Sequence, residues 1–385
     1  MATTHVLIVD SNTLKYHLEY MFAGTGAGNS VIDFNNLDTT TLHHKTENNL
    51  LGMISDINRI KINDYIIFYL QQNTSQSIYE GKFFGIFKVV STPFLDNNNS
   101  TQFLKAELKK SLTFRVLIEP HTVYANGITE WEALDDISSI TTPNHMQWSL
   151  IYRKLKGGRG NTMITLYESD SLSQLIRNKN DRNTMNSNYF TFNSDTQRIE
   201  AIQSSGQYTG RQTNINILPR LINKYCNRLQ FETHLQAYIL QNISQIQIFN
   251  NENLEWIGNE VSCGVGMQRI DIMLSSIRNN NKTTIPIELK STEAYPEITI
   301  QLQRYIDWIQ QYYYPNHLSD IEPVIISRKI INKNTQEYTN LITSFESFNN
   351  FNNNINRLRY IEFDINCQTK NILFWLASII CLVLL

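Results

Sequence analysis

The chain has little charge and no surplus of either sign. Asp, Glu, Lys and Arg make up 18% of its 385 residues, below the usual quarter, and the net charge is −2. That balance excludes a globally basic surface, so any contact with nucleic acid has to come from a local basic patch. Cysteine is scarce as well. Cys226, Cys263, Cys367 and Cys381 form no C-x-x-C pair and fit no zinc spacing, so reduced thiols in a cytoplasmic protein are expected. The start of the chain has no basic stretch leading into a long apolar run, so no secretory signal is expected. None of the eight histidines falls in a metal-like spacing, and all are read as structural or exposed. Gly24-Thr25-Gly26-Ala27-Gly28 lacks G-K-[ST] and a preceding strand, which favours a surface loop over a phosphate cradle. The apolar tail, residues 372–385, falls short of the roughly 20 residues of a membrane span. It is read as a tail anchor, as an apolar strand or helix packed on the preceding domain, or as a chain end of another kind, with a soluble protein favoured.

What is present centres on residues 269–305. In residues 285–290 Ile285, Ile287 and Leu289 alternate with Pro286, Glu288 and Lys290, the period of a strand. Ile270, Ile272 and Leu274 repeat the device around Asp271. The polar stretch between them, with three consecutive asparagines, reads as a turn, so the two strands pair as a hairpin. Asp271 then lies beside Glu288 and Lys290. Two neighbouring carboxylates repel unless a positive charge sits between them. Mg²⁺ suits that place, because it takes oxygen ligands, keeps waters and accepts phosphate oxygens. Lys290 is then placed to orient a water or to stabilise a pentavalent transition state. The bland alternative is a surface hairpin with solvated charges.

An Asp followed by E-x-K on a hairpin, then by a helix with Gln301 and Tyr305, resembles the PD-(D/E)xK nuclease superfamily. Gln301 and Tyr305 match the Q-x-x-x-Y of its RecB-like branch, and their spacing puts them on one helix face. Residues 218–365 are more closely similar to the catalytic domain of NucS-type endonucleases. The resemblance implies Asp271, Glu288 and Lys290 as catalytic residues, with Gln301 and Tyr305 beside them. It also implies Asp271 and Glu288 as metal ligands. Glu232 opens a helix whose buried stripe is Phe231, Leu235, Tyr238 and Ile239. It is read either as favouring the helix N-terminus or as completing the metal site. Pro286 departs from the pattern and implies a bulge or an edge.

The N-terminal half reads as short strands: residues 6–9, 65–70, 81–90 and 114–118, with a helix over 12–21 capped at Ser11. I-N-D-Y-I-I-F-Y, G-K-F-F-G-I-F-K-V-V-S-T-P-F and F-R-V-L-I-E-P, with Trp131 to Asp136 and Gln147-Trp148, resemble an EVE domain of the PUA-like superfamily. That implies a small curved β-barrel that binds nucleic acid, in several members through a flipped modified base. A flipped base needs flat apolar walls, for which Trp131, Trp148, Tyr152, Phe83 and Phe84 are candidates. Core packing is the competing role for each. Arg153, Lys154, Lys156 and Arg159 form a glycine-spaced basic run suited to phosphate.

The expectation is therefore an α+β protein of two domains. A PUA-like reader spans 1–180, a linker 181–214, an α/β nuclease core 215–366 and an apolar tail 367–385. Its expected partner is DNA, its cofactor Mg²⁺ with Mn²⁺ as a substitute, and no small-molecule cofactor is expected. Cleavage of both strands implies a homodimer. A restriction or defence endonuclease is the favoured function. The alternatives are a repair nuclease for mismatched or branched DNA, and a modified-base binder with an inactive nuclease fold.

Overall fold

The computed structural model describes residues 3–26, 31–34, 44–139, 141–145, 159–263, 268–313 and 317–377. The chain forms two compact units, Met1–Asp33 with Thr39–Asn216, and Phe34–Asp38 with Ile217–Leu385. In the first, β1 (Thr4–Val9), α1 (Ser11–Glu19), β2 (Phe22–Thr25), α2 (His44–Asn58), β3 (Tyr65–Leu70), β4 (Lys82–Val89) and β5 (Phe94–Leu95) come in order. There follow α3 (Lys105–Leu108), β6 (Phe114–Pro120), β7 (Ile128–Thr129), α4 (Glu130–Asp135), β8 (Asn161–Met163) and α5 (Leu166–Lys179).

β1 is an interior strand. It runs parallel to β3, from Thr4↔Tyr65 to Val9↔Leu70, and antiparallel to β8. The remaining pairings are antiparallel, and the sheet curls into a half-barrel. Its apolar residues face inward: Val6, Ile67, Tyr69 and Phe83 pack with Leu172 and Ile176 of α5. Asp10, not Ser11, caps α1. Its carboxylate accepts the Thr13 N–H at 2.7 Å, and Thr13 Oγ1 accepts the Asp10 N–H at 3.0 Å. Gly24 and Thr25 lie in β2, so the glycine stretch does begin in a strand.

His17 makes the first unit acid-sensitive. Its Nδ1 is 2.9 Å from the Phe22 carbonyl, its ring stacks on Phe68, and its Nε2 has no hydrogen-bond partner. Burial pushes its pKa down from 6.5 to about 3. A neutral imidazole in the fold and a protonated one in the unfolded chain remove stability as pH falls below 6.5. At pH 5 the loss should be about 2 kcal/mol. Melting of the first unit at pH 5 and pH 7, in the native protein and in His17→Gln, measures it. An equal drop in both would assign the effect elsewhere.

The stretch expected as a linker is folded onto the first unit. β9 (Phe190–Asn193) and β10 (Arg198–Ala201) form a hairpin, and β11 (Thr213–Asn214) pairs with β5. Phe190, Phe192 and Ile199 are buried, with the Phe192 ring 5.5 Å from that of Phe84. The Tyr208 ring meets Phe22, Phe94 and Phe103. Polar composition hid these few apolar anchors.

The second unit contains α6 (Leu218–Cys226), α7 (Glu232–Asn242), β12 (Leu254–Ser262), β13 (Arg269–Arg278), β14 (Asn281–Glu293), α8 (Ile298–Tyr312), β15 (Val324–Arg328), α9 (Gln336–Phe351), β16 (Arg359–Asn366) and β17 (Asn371–Leu376). The six strands form one sheet in sequence order. On one face Leu221 of α6 with Leu235 and Ile239 of α7 cover Ile272, Ile285, Ile287 and Leu289. The alternate residues face α8 and α9, where Phe345 packs on Tyr360 at 5.2 Å.

Two expectations need correction here. Pro286 makes neither a bulge nor an edge. β14 is central, its register runs unbroken through Met273↔Pro286, and pairing to β15 starts only at Ile287↔Val324. The packed-strand reading of the apolar tail holds for its described part: Asn371–Leu376 extends the sheet, with Ile372 and Phe374 against the core. Cys226 and Cys367 form a disulfide, while Cys263 is buried and free and Cys381 lies outside the described residues. Spacing in sequence could not show that α6 ends beside the β16–β17 turn. Among the described residues no helix is long and apolar enough to cross a membrane.

Candidate active site

The site lies where β14 exchanges partners. It runs antiparallel to β13 as far as Ile272↔Ile287, then parallel to β15 from Ile287↔Val324. Beyond that point the ladder to β13 stops, and a side chain takes over. Asp271 Oδ2 accepts the Leu289 N–H at 2.9 Å. Gln236 of α7 donates to the Asp271 carbonyl at 2.7 Å, fixing the same residue from its backbone.

Glu288 is fully buried. One oxygen accepts from the Tyr305 hydroxyl at 2.7 Å, and the other pairs with the Lys290 ammonium. The Tyr305 hydroxyl also stands 2.8 Å from the Arg269 carbonyl and accepts a hydrogen bond from Gln301 Nε2 at 2.8 Å. The two α8 residues, four apart, thus tie Glu288 to the start of β13. Glu232 sits in the first turn of α7 without capping it. Its carboxylate accepts the Ser291 N–H at 3.1 Å, one residue beyond Lys290.

Negative charge dominates. Burial, then the Glu288 charge and, less strongly, that of Glu232, hold the Asp271 carboxyl well above the usual range, against the Leu289 N–H and Lys290. Burial also raises Glu288, against the pull of Lys290 and Tyr305. Burial would lower Lys290, but the Glu288 carboxylate, with Glu232 and Asp271, raises it, so the ammonium stays charged. Burial and Glu288 raise Tyr305, which remains a neutral donor. Among the described residues no group of three or more His, Cys, Asp or Glu is arranged to hold a metal ion. Asp271 and Glu288 converge with Lys290, whereas Glu232 is engaged by Ser291.

The structure thus brings together Asp271, Glu288, Lys290, Gln301 and Tyr305. Gln236 was missed, although its place four residues after Glu232 puts both on one helix face. The N-terminal candidates scatter. Trp131 is 61% exposed on α4. Phe83 and Phe84 are core residues, with Phe83 packed 4.9 Å from Tyr69, so neither walls a base pocket. Arg159 reaches Asp56 of α2 at 3.8 Å. Trp148, Tyr152, Arg153, Lys154 and Lys156 lie outside the described residues. A cavity of about 170 Å³ in this unit is lined by other residues, among them Tyr65, Ile86, His121 and Asp170.

No family model matches the chain, and no curated protein matches it. Among solved structures it is similar to a hypothetical protein from Leishmania major, at 10% identity and a TM-score of 0.29 over 46% of this chain and 97% of the other. Human THYN1 in complex with 5-methylcytosine-containing DNA gives 13%, 0.26, 45% and 98%. The restriction endonuclease FokI bound to DNA gives 8%, 0.22, 60% and 42%. At these scores the likeness carries no functional weight, and the chemistry has to come from the residues of the site.

Proposed function

We propose that the chain is a Mg²⁺-dependent DNA endonuclease, with a restriction or defence role, whose first unit reads the DNA, including a modified base. The observation that carries the chemistry is the convergence of Asp271, Glu288 and Lys290 at the end of the β13–β14 ladder, braced by Leu289 and Tyr305. Burial first, and for Asp271 then the Glu288 charge, pushes both carboxyls towards protonation, so a cation beside them would favour their charged forms. Their hard oxygen donors suit Mg²⁺, with waters and substrate supplying the other ligands. When bound, that ion supplies a Lewis acid for the phosphodiester and offsets the charge that develops on it.

Asp271 and Glu288 would hold the ion, and Lys290 would orient the attacking water or offset the charge that develops on the phosphodiester. Tyr305 fixes Glu288 so that its second oxygen is free to pair with Lys290. Tyr305→Phe should lower cleavage about tenfold and melting by about 1–2 kcal/mol, the worth of one buried hydrogen bond. Unchanged cleavage would make the Tyr305 bond purely structural. The decisive experiment digests methylated, hydroxymethylated, unmodified and mismatched duplexes side by side, in Mg²⁺ and in EDTA. Cutting that needs Mg²⁺ and favours a modified duplex supports the reading. Preference for mismatches would move the chain to repair. No cutting of any duplex with Mg²⁺ or Mn²⁺ would end the nuclease assignment.

A further inference from the structure

A loop outside the motif borders the same end of the sheet. β15 runs parallel to β14, and its Ser327 and Arg328 stand level with Lys290 and Glu293. The chain then leaves β15 into residues 329–335. The loop therefore starts one strand spacing, about 5 Å, from the strand that bears Lys290. Ligands of parallel strands gather at this carboxyl end.

The loop is pinned at both ends. The Lys329 N–H donates to the Phe363 carbonyl at 2.8 Å. Ile330 is buried and donates its N–H to Glu362 at 3.2 Å, and the Lys333 ammonium meets the other oxygen of Glu362 at 2.8 Å. Between these anchors Ile331 is 86% exposed. The two lysines differ in kind. Lys333 is neutralised by Glu362 and acts as an anchor. Lys329 has no carboxylate partner among the described residues, and its ammonium lies 5.6 Å above the Trp375 ring. That contact leaves its positive charge unspent.

We propose that residues 329–333 are a duplex-DNA contact of the cleavage unit: Ile331 presses as an apolar wedge against the edges of a base step, and Lys329 meets a neighbouring phosphate. An apolar wedge beside a cation, on a rigid support, is how proteins unstack and bend a duplex. The inference rests on the endonuclease reading above. It names how the substrate is gripped beside Lys290.

The test uses the full chain, with a duplex carrying 2-aminopurine at successive steps and affinity over a salt series measured in EDTA, and cutting measured in Mg²⁺. Ile331→Ser should weaken binding roughly tenfold and abolish the fluorescence rise of an unstacked 2-aminopurine, whereas Ile331→Val should retain both. Lys329→Ala should reduce the salt slope by about one. Exposure predicts unchanged melting for these variants, so a binding loss is not a folding loss. If the unaltered protein binds and cuts DNA while Ile331→Ser and Lys329→Ala match it, this contact is wrong and the nuclease reading stands. Weakened self-association with normal DNA affinity would make the loop a protein interface instead. If the unaltered protein neither binds nor cuts, both readings fall together.

Discussion

Asp271→Asn is expected to lower cleavage by roughly a thousandfold or more while affinity for duplex in EDTA changes less than twofold. The amide keeps an oxygen that accepts the Leu289 N–H, so the junction of β13 and β14 stays closed. What it would remove is the negative charge proposed to hold the cation. Asp271→Ala is the less clean variant, because it also strands a backbone N–H, at a cost of about 1–3 kcal/mol. Single-turnover cleavage, melting and binding on Asp271→Asn separate these effects. Full activity in that variant would move the chemistry away from this junction. A parallel loss in Glu288→Gln with retained binding would confirm that the pair acts as one site.

Loss of the Cys226–Cys367 bond is expected to have the largest effect on stability. The two residues lie 141 positions apart and join the end of α6 to the β16–β17 turn. Such a cross-link restricts the unfolded chain, and its removal typically costs about 2–4 kcal/mol. Cys226→Ser and a reductant should lower the melting of the second unit by the same amount, and the two effects should not add. If neither moves the transition, the thiols are unpaired in solution, as their scatter in the sequence first suggested.

The candidate site was legible because its residues are close in sequence. Asp271, Glu288 and Lys290 sit on two strands joined by a short turn, and period two alone put their side chains together. Gln301 and Tyr305 could be assigned to one helix face by spacing, although spacing could not say that Tyr305 grips Glu288. Gln236 and Ser291 act through or upon the backbone, which leaves no compositional trace. The first unit was harder. Its strands announced themselves as apolar runs, but inward and outward aromatics look alike in sequence, so Phe83 and Phe84 were candidates that proved to be core. The segment 181–214 misled for the opposite reason: the buried rings of Phe190 and Phe192 and the half-buried ring of Tyr208 organise a stretch that is otherwise polar. The Cys226–Cys367 pairing depends on two distant elements meeting, which no spacing rule reports.

The central position of β1 has a consequence for how the protein is made. β1 pairs with β3, whose residues follow some sixty positions later in the chain, and with β8, which ends at Met163. The half-barrel also waits for Phe192 and Tyr208 to cover rings it would otherwise expose. The sheet of this unit is complete only once the chain has passed Tyr208 and Asn214. Its folding is then slowed by the loops that have to be brought together, and its apolar strands stand open meanwhile. A fragment stopped near Asn180 would keep every long strand of the sheet yet lack its last cover, and should be recovered as an aggregate unless residues up to Asn214 are restored.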